Sequence, residues 1–134
     1  MEKRTGRCLC GAVEFSTSGP MRPVIACHCS QCRRWSGNFW AATACQDGDL
    51  TIESGNDLVT WFRSSDFAKR AFCGKCGSTL FYKADGIPEF ADKTSIGAGL
   101  FDGETHFEHG RHIFCKDRGD YYEFPDNAEL IERY

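Results

Sequence analysis

Seven of the nine cysteines in this 134-residue chain fall into three tight groups. They are Cys8-Leu9-Cys10-Gly11, Cys27-His28-Cys29-Ser30-Gln31-Cys32 and Cys73-Gly74-Lys75-Cys76. Grouped thiols serve as disulfides, metal ligands or redox pairs. An odd total, and the crowding of Cys27, Cys29 and Cys32, speak against a disulfide framework. The sequence opens on charged residues and enters the first group with no apolar stretch, so no secretory leader is expected. A cytoplasmic location is expected, and thiols there stay reduced and serve metals or catalysis.

Cys8, Cys10, Cys73 and Cys76 make the four-thiolate set of a closed, structural zinc site. Each pair is followed by glycine (Gly11, Gly77), which lets backbone amides turn towards sulfur. The Cys73–Cys76 pair leads into strand-like Thr79–Tyr82, whereas a redox pair of this spacing usually opens a helix. An iron–sulfur cluster is the other occupant that four thiolates can hold. Cys27, Cys29 and Cys32 number three, the protein ligand count of a catalytic zinc whose fourth position stays open to water or substrate. Alternatives are that Cys29 points away, that one of these thiols joins the first site, or that the group is buried, reduced and metal-free.

Arg33 and Arg34 follow the second group and can either hold a substrate carboxylate or sit solvated, offsetting thiolate charge. His28 is expected at the surface, with a fourth-ligand or base role as the alternative. His112, on a strand-like stretch, is either structural or a proton shuttle, and His106 and His109 read as solvated loop residues. Cys45 and Cys115 end apolar strands, where free cysteine behaves as a small hydrophobe.

The elements that must position these groups are short. Strands are expected at Arg7–Phe15, Val24–Cys27, Phe39–Cys45, Leu50–Glu53, Leu58–Arg63, Lys69–Cys73, Leu80–Lys83, Thr94–Gly97 and His112–Cys115, with one helical turn at Ser30–Ser36. No stretch sustains a 3.6-residue apolar period, so a mainly β fold in a single domain over residues 1–134 is predicted. No apolar run reaches membrane-spanning length. The formal charge is −3. Four thiolates on one zinc add −2 and three on a second add −1, taking the chain to about −6, which argues against general nucleic-acid binding.

The motifs Cys8-Leu9-Cys10-Gly11, Cys27–Gly37, Phe72–Phe81 and His112–Phe114 together resemble the glutathione-dependent formaldehyde-activating enzyme family, which includes centromere-protein-V-like proteins. The resemblance runs from about Gly6 to Pro125. It implies an Mss4-like stack of short antiparallel sheets organised around zinc. It also implies a structural zinc on Cys8, Cys10, Cys73 and Cys76, and a catalytic zinc on Cys27, Cys29 and Cys32. The family's activity joins a small-molecule thiol, glutathione, to formaldehyde as S-(hydroxymethyl)glutathione, and water, His28 or His112 are candidates for supplying the proton. Glu108 stands where the family often has proline, and Tyr121-Tyr122 where it often has tryptophan. The expected function is therefore a zinc-dependent carbon–sulfur lyase/synthase, against a zinc-stabilised binding module of the same fold. A methionine-sulfoxide-reductase-like activity would need a nucleophilic cysteine off the zinc, for which only Cys45 or Cys115 is available.

Overall fold

The structure is a computed structural model that describes residues 2–134. Two sheets account for its ten strands. The smaller runs β1–β2–β5, from Arg4–Arg7, Glu14–Thr17 and Leu50–Ser54, with both pairings antiparallel. The larger has the order β10–β3–β4–β9–β8–β7–β6. Its strands are β3 (Val24–Cys27), β4 (Trp40–Gln46), β6 (Val59–Arg63), β7 (Lys69–Cys73), β8 (Thr79–Lys83), β9 (Lys93–Gly97) and β10 (His109–Ile113). The one α-helix among the described residues is α1, Ser30–Ser36.

The mainly β class is as the sequence predicts, and three local expectations are corrected. Arg7–Phe15 is not one strand. It breaks into β1, a tight turn and β2, because the Cys8 amide bonds back to the Val13 carbonyl (3.1 Å) and Gly11 takes φ +79°. Not every pairing is antiparallel, since β10 lies parallel to β3 with His112 opposite Ala26 and Ile113 opposite Cys27. β10 also starts earlier than expected, at His109, so that histidine is exposed on a strand and not in a loop. Cys115 falls in the 3₁₀ turn that follows.

The main core lies between the sheets. Phe15 meets Phe81 and Phe101 edge-on at centroid distances of 5.7 and 5.3 Å, over buried Val13, Ala71, Leu80 and Ile96. Each large side chain buried here contributes about 1.5–3 kcal/mol. Gly6 is required opposite this cluster, because a Cβ there would lie 2.4 Å from the Phe15 ring. A second, smaller cluster of Cys32, Trp40 and Ala42 packs under α1. No helix is long and apolar enough to cross a membrane among the described residues.

Two candidate metal centres and a cavity beside one of them

The first cysteine group joins the β1–β2 turn, which carries Cys8 and Cys10, to the β7–β8 hairpin, which carries Cys73 and Cys76. All four Sγ atoms lie within 4.8 Å of one another. Cys10 Sγ is 3.5 Å from Cys8 Sγ and 3.9 Å from Cys73 Sγ. A tetrahedron with metal–sulfur bonds of about 2.3 Å has edges of about 3.8 Å, so the set fits one ion. Backbone amides are aimed at the sulfurs: Val13 N donates to Cys8 Sγ and Lys75 N to Cys73 Sγ, both at 3.4 Å. Ser78 ties the two loops together. Its hydroxyl accepts from Leu9 N at 2.9 Å and lies 3.2 Å from Cys76 Sγ. That hydroxyl is the main reason the Cys76 thiol is pulled down to about 5, in the range that favours thiolate.

The second group is built by the passage from β3 into α1. Cys27 closes β3, Cys29 is the N-cap of α1 with its sulfur accepting from Cys32 N at 3.3 Å, and Cys32 lies in the first turn. Gly37, at φ 84°, ends the helix by donating to the Arg33 carbonyl. The three Sγ atoms are within 4.8 Å of one another, with no fourth His, Cys, Asp or Glu in the group. The Cys27 and Cys32 thiols hold the Cys29 thiol far below its usual value, while Cys29 and then Cys32 push the Cys27 thiol up.

Arg70 supplies the matching positive charge. It lies on β7, 5% exposed, between the rings of Trp35 and Tyr82 at 5.0 Å from each. It donates to Cys32 Sγ at 3.4 Å, Gln31 Oε1 at 3.4 Å and Ser64 Oγ at 3.3 Å. The three sulfurs open onto a cavity of about 290 Å³ whose walls include Ile25, Trp40, Ala42, Arg70, Tyr82 and Phe114. Burial pushes the Tyr82 hydroxyl up to about 12, so it stays protonated and can donate. Phe114 holds a left-handed backbone (φ 54°, ψ 38°), an uncommon conformation for an aromatic residue.

Several sequence expectations change here. His28 is not at the surface. It is fully buried, with Nδ1 2.5 Å from the Tyr122 hydroxyl and Nε2 2.8 Å from His112 Nδ1. Both ring nitrogens are therefore committed, and His28 is not a fourth ligand. Burial, then the neighbouring His112 and Arg118, pulls it down to about 4, so it is neutral. Neither His28 nor His112 lines the cavity, which leaves both poorly placed to hand a proton to anything held there. Arg33 and Arg34 are also absent from its walls: Arg33 donates to the Asp117 carbonyl at 3.1 Å and Arg34 is exposed. Arginines do face the cavity, but they are Arg70 and Arg22. Nothing in the sequence marked these two or Tyr82, which arrive from distant strands and loops. Cys45 is buried within β4, and burial pushes its thiol up to about 11. Cys115 sits with its sulfur 3.5 Å from the His112 carbonyl oxygen. Neither thiol reaches the cavity, so it holds no nucleophilic cysteine apart from the three clustered ones.

Comparison with known proteins agrees with this architecture. Residues 3–117 match the family model described as glutathione-dependent formaldehyde-activating enzyme. A protein of Schizosaccharomyces pombe named as an uncharacterized lyase is 30% identical over 133 residues, covering 98% of this chain and 92% of its own length. A crystal structure of a Rhodobacter sphaeroides protein superposes with a TM-score of 0.62 at 25% identity, covering 76% of this chain and 91% of that one. With its two cysteine groups assembled in one mainly β fold, the chain belongs to the glutathione-dependent formaldehyde-activating enzyme family.

Proposed function

We propose that this protein is a zinc-dependent carbon–sulfur lyase/synthase acting on the adduct of a thiol with an aldehyde, with glutathione and formaldehyde as the reference pair. Cys8, Cys10, Cys73 and Cys76 would hold a structural zinc, and Cys27, Cys29 and Cys32 a catalytic one. The carrying observation is that the second group offers three thiols, not four, on the wall of a cavity. A purely structural site gains nothing from an incomplete coordination sphere. When bound, the zinc would lower the pKa of a substrate thiol and polarise a carbonyl.

In the synthetic direction, the substrate sulfur attacks the aldehyde carbon. The thiol gives up its proton to solvent, a carbon–sulfur bond forms, the carbonyl π pair moves onto oxygen, and that oxygen takes a proton to become the hydroxyl of the adduct, so that one proton is lost and one gained. Lysis is the reverse. Arg70 offsets the charge gathered at the sulfurs. Ile25, Trp40, Ala42 and Phe114 give part of the wall an apolar surface, beside the polar part that carries Arg22, Arg70 and Tyr82. The Tyr82 hydroxyl, protonated and on the wall, or a water molecule held there, can supply the proton. A cytoplasmic location, where free thiols prevail, belongs to the same reading.

The test is adduct formation from glutathione and formaldehyde, followed by NMR line exchange against the uncatalysed rate. It is paired with zinc per chain by native mass spectrometry. Two zincs per chain and a protein-dependent acceleration support the proposal. One zinc and no acceleration with any thiol would favour a zinc-stabilised binding module.

A further inference from the structure

Arg22 precedes β3 and lines the same cavity as the three thiols. No carboxylate lies within ion-pair reach of it among the described residues. Its Nη2 donates to the Ala42 carbonyl at 2.8 Å and its Nε to the Pro23 carbonyl at 3.3 Å. Its Nη1 makes no hydrogen bond to protein, yet is not among the sealed, unsatisfied atoms. One edge of the guanidinium is thus anchored and the other remains available. Burial, then nearby Arg111, draws its pKa down to about 10, as befits a cation without a counter-charge, and it stays protonated at neutral pH. Partly buried charges of this kind are ordinarily paired.

Its place along the sheet is informative. Ala42 stands opposite Ile25, and Trp40, two residues earlier on β4, stands opposite Cys27. The Arg22 head group therefore lies about 7 Å along the strands from the level of the sulfurs. A thiol seated at the sulfurs, with a carboxylate on the adjoining residue of a peptide, spans about that distance. The one carboxylate on the cavity wall, Asp117, is on the α1 side, where Arg33 holds its backbone. A larger, more open hollow of about 420 Å³ also touches Arg22, but there Glu2 and Glu108 offset Arg4 and Arg22, so no net positive charge draws an anion.

We propose that Arg22 anchors a substrate carboxylate, so that the cavity selects acidic peptide thiols over neutral ones. This rests on the thiol-site reading above, and makes Arg22 a specificity-determining residue. Guanidinium and carboxylate pair through strong, charge-assisted bonds, and lysine cannot reproduce the fork.

The test is calorimetric binding to the zinc-loaded protein of glutathione, its diethyl ester, S-methylglutathione and the diethyl ester of S-methylglutathione. Wild type is compared with Arg22→Gln and Arg22→Lys. Wild type is expected to bind each acid at least about tenfold tighter than its ester. In Arg22→Gln that ratio should fall to within about twofold, with ester affinity unchanged, and Arg22→Lys should lie between. Equal binding of acid and ester by wild type overturns the inference without any variant, so a misfolded variant cannot shelter it. A ratio preserved in a folded, zinc-replete Arg22→Gln overturns it too. Capping the thiol by methylation tests the other reading: if S-methylglutathione binds as tightly as glutathione, no thiolate is seated at the cluster, while the acid-to-ester ratio still reports on Arg22. Absence of binding by all four overturns both.

Discussion

At the residue scale, Cys29 carries the most weight. It caps α1, its sulfur lies within 4.8 Å of those of Cys27 and Cys32, and these neighbours hold its thiol far below the usual value. Cys29→Ser keeps a capping oxygen but removes the thiolate. Turnover should fall by about a hundredfold or more, read from the rate of adduct formation, while the thermal melt stays close to wild type. Such spacing was legible in the sequence because all three ligands lie within one short stretch. Arg70 was not, because it reaches Cys32 from 38 positions away, and no local pattern encodes that approach. His112 gives a second residue-scale prediction. Its ring is buried against His28, His109, Phe39 and Phe124, and Nε2 has no partner. Burial, then His109, lowers its pKa. A depressed folded value means that the unfolded chain binds the proton first. The stability contribution is therefore complete above the ordinary imidazole value of about 6.5 and is lost as pH falls from there through the folded value. Urea midpoints from pH 7.5 to 5 should drop less steeply in His112→Gln than in wild type, the remaining slope coming from buried His28, whose pKa is also depressed, and from thiol protonation.

At the element scale, the turns do the positioning. Gly55, between β5 and β6, has φ +75°, and a Cβ there would meet the Ala12 carbonyl oxygen at 2.2 Å. Ala12 lies in the turn that presents Cys8 and Cys10. Gly55→Ala should cost about 2 kcal/mol or more in urea unfolding, and should also weaken zinc retention at the first centre in a chelator competition. β7 was legible to the residue because Lys69–Cys73 is a compact strand-like run bounded by turn residues. The early part of β10 was not, because His109-Gly110-Arg111 reads as polar loop. Its parallel pairing with β3 depends on a partner some 85 positions away, and alternation within one strand carries no information about direction. The break at Cys8–Val13 was hidden for a related reason. The turn follows from thiol positions that alternation counts as ordinary apolar residues.

At the scale of the whole molecule, the proposal gives the two cysteine groups different roles. The first joins loops 63 positions apart, from Cys10 to Cys73, and so links the small sheet to the far side of the large one. Cys73 is fully buried. Cys73→Ser should cost several kcal/mol and lower the melting temperature by 10 °C or more, roughly, with activity lost as a consequence of unfolding. The contrast with Cys29→Ser, in which activity falls and the melt holds, separates the two roles in one pair of measurements. The cavity wall has a different dependence. The backbone around Phe114 is pinned by the end of the chain: His112 N bonds to the Glu129 carbonyl, Phe114 N to that of Arg133 and Cys115 N to that of Ile131. The ligands of both centres precede all of these in the order of synthesis. Residues 129–133 therefore complete the Phe114 corner of the cavity late in synthesis, after every residue of both cysteine groups and most of the wall.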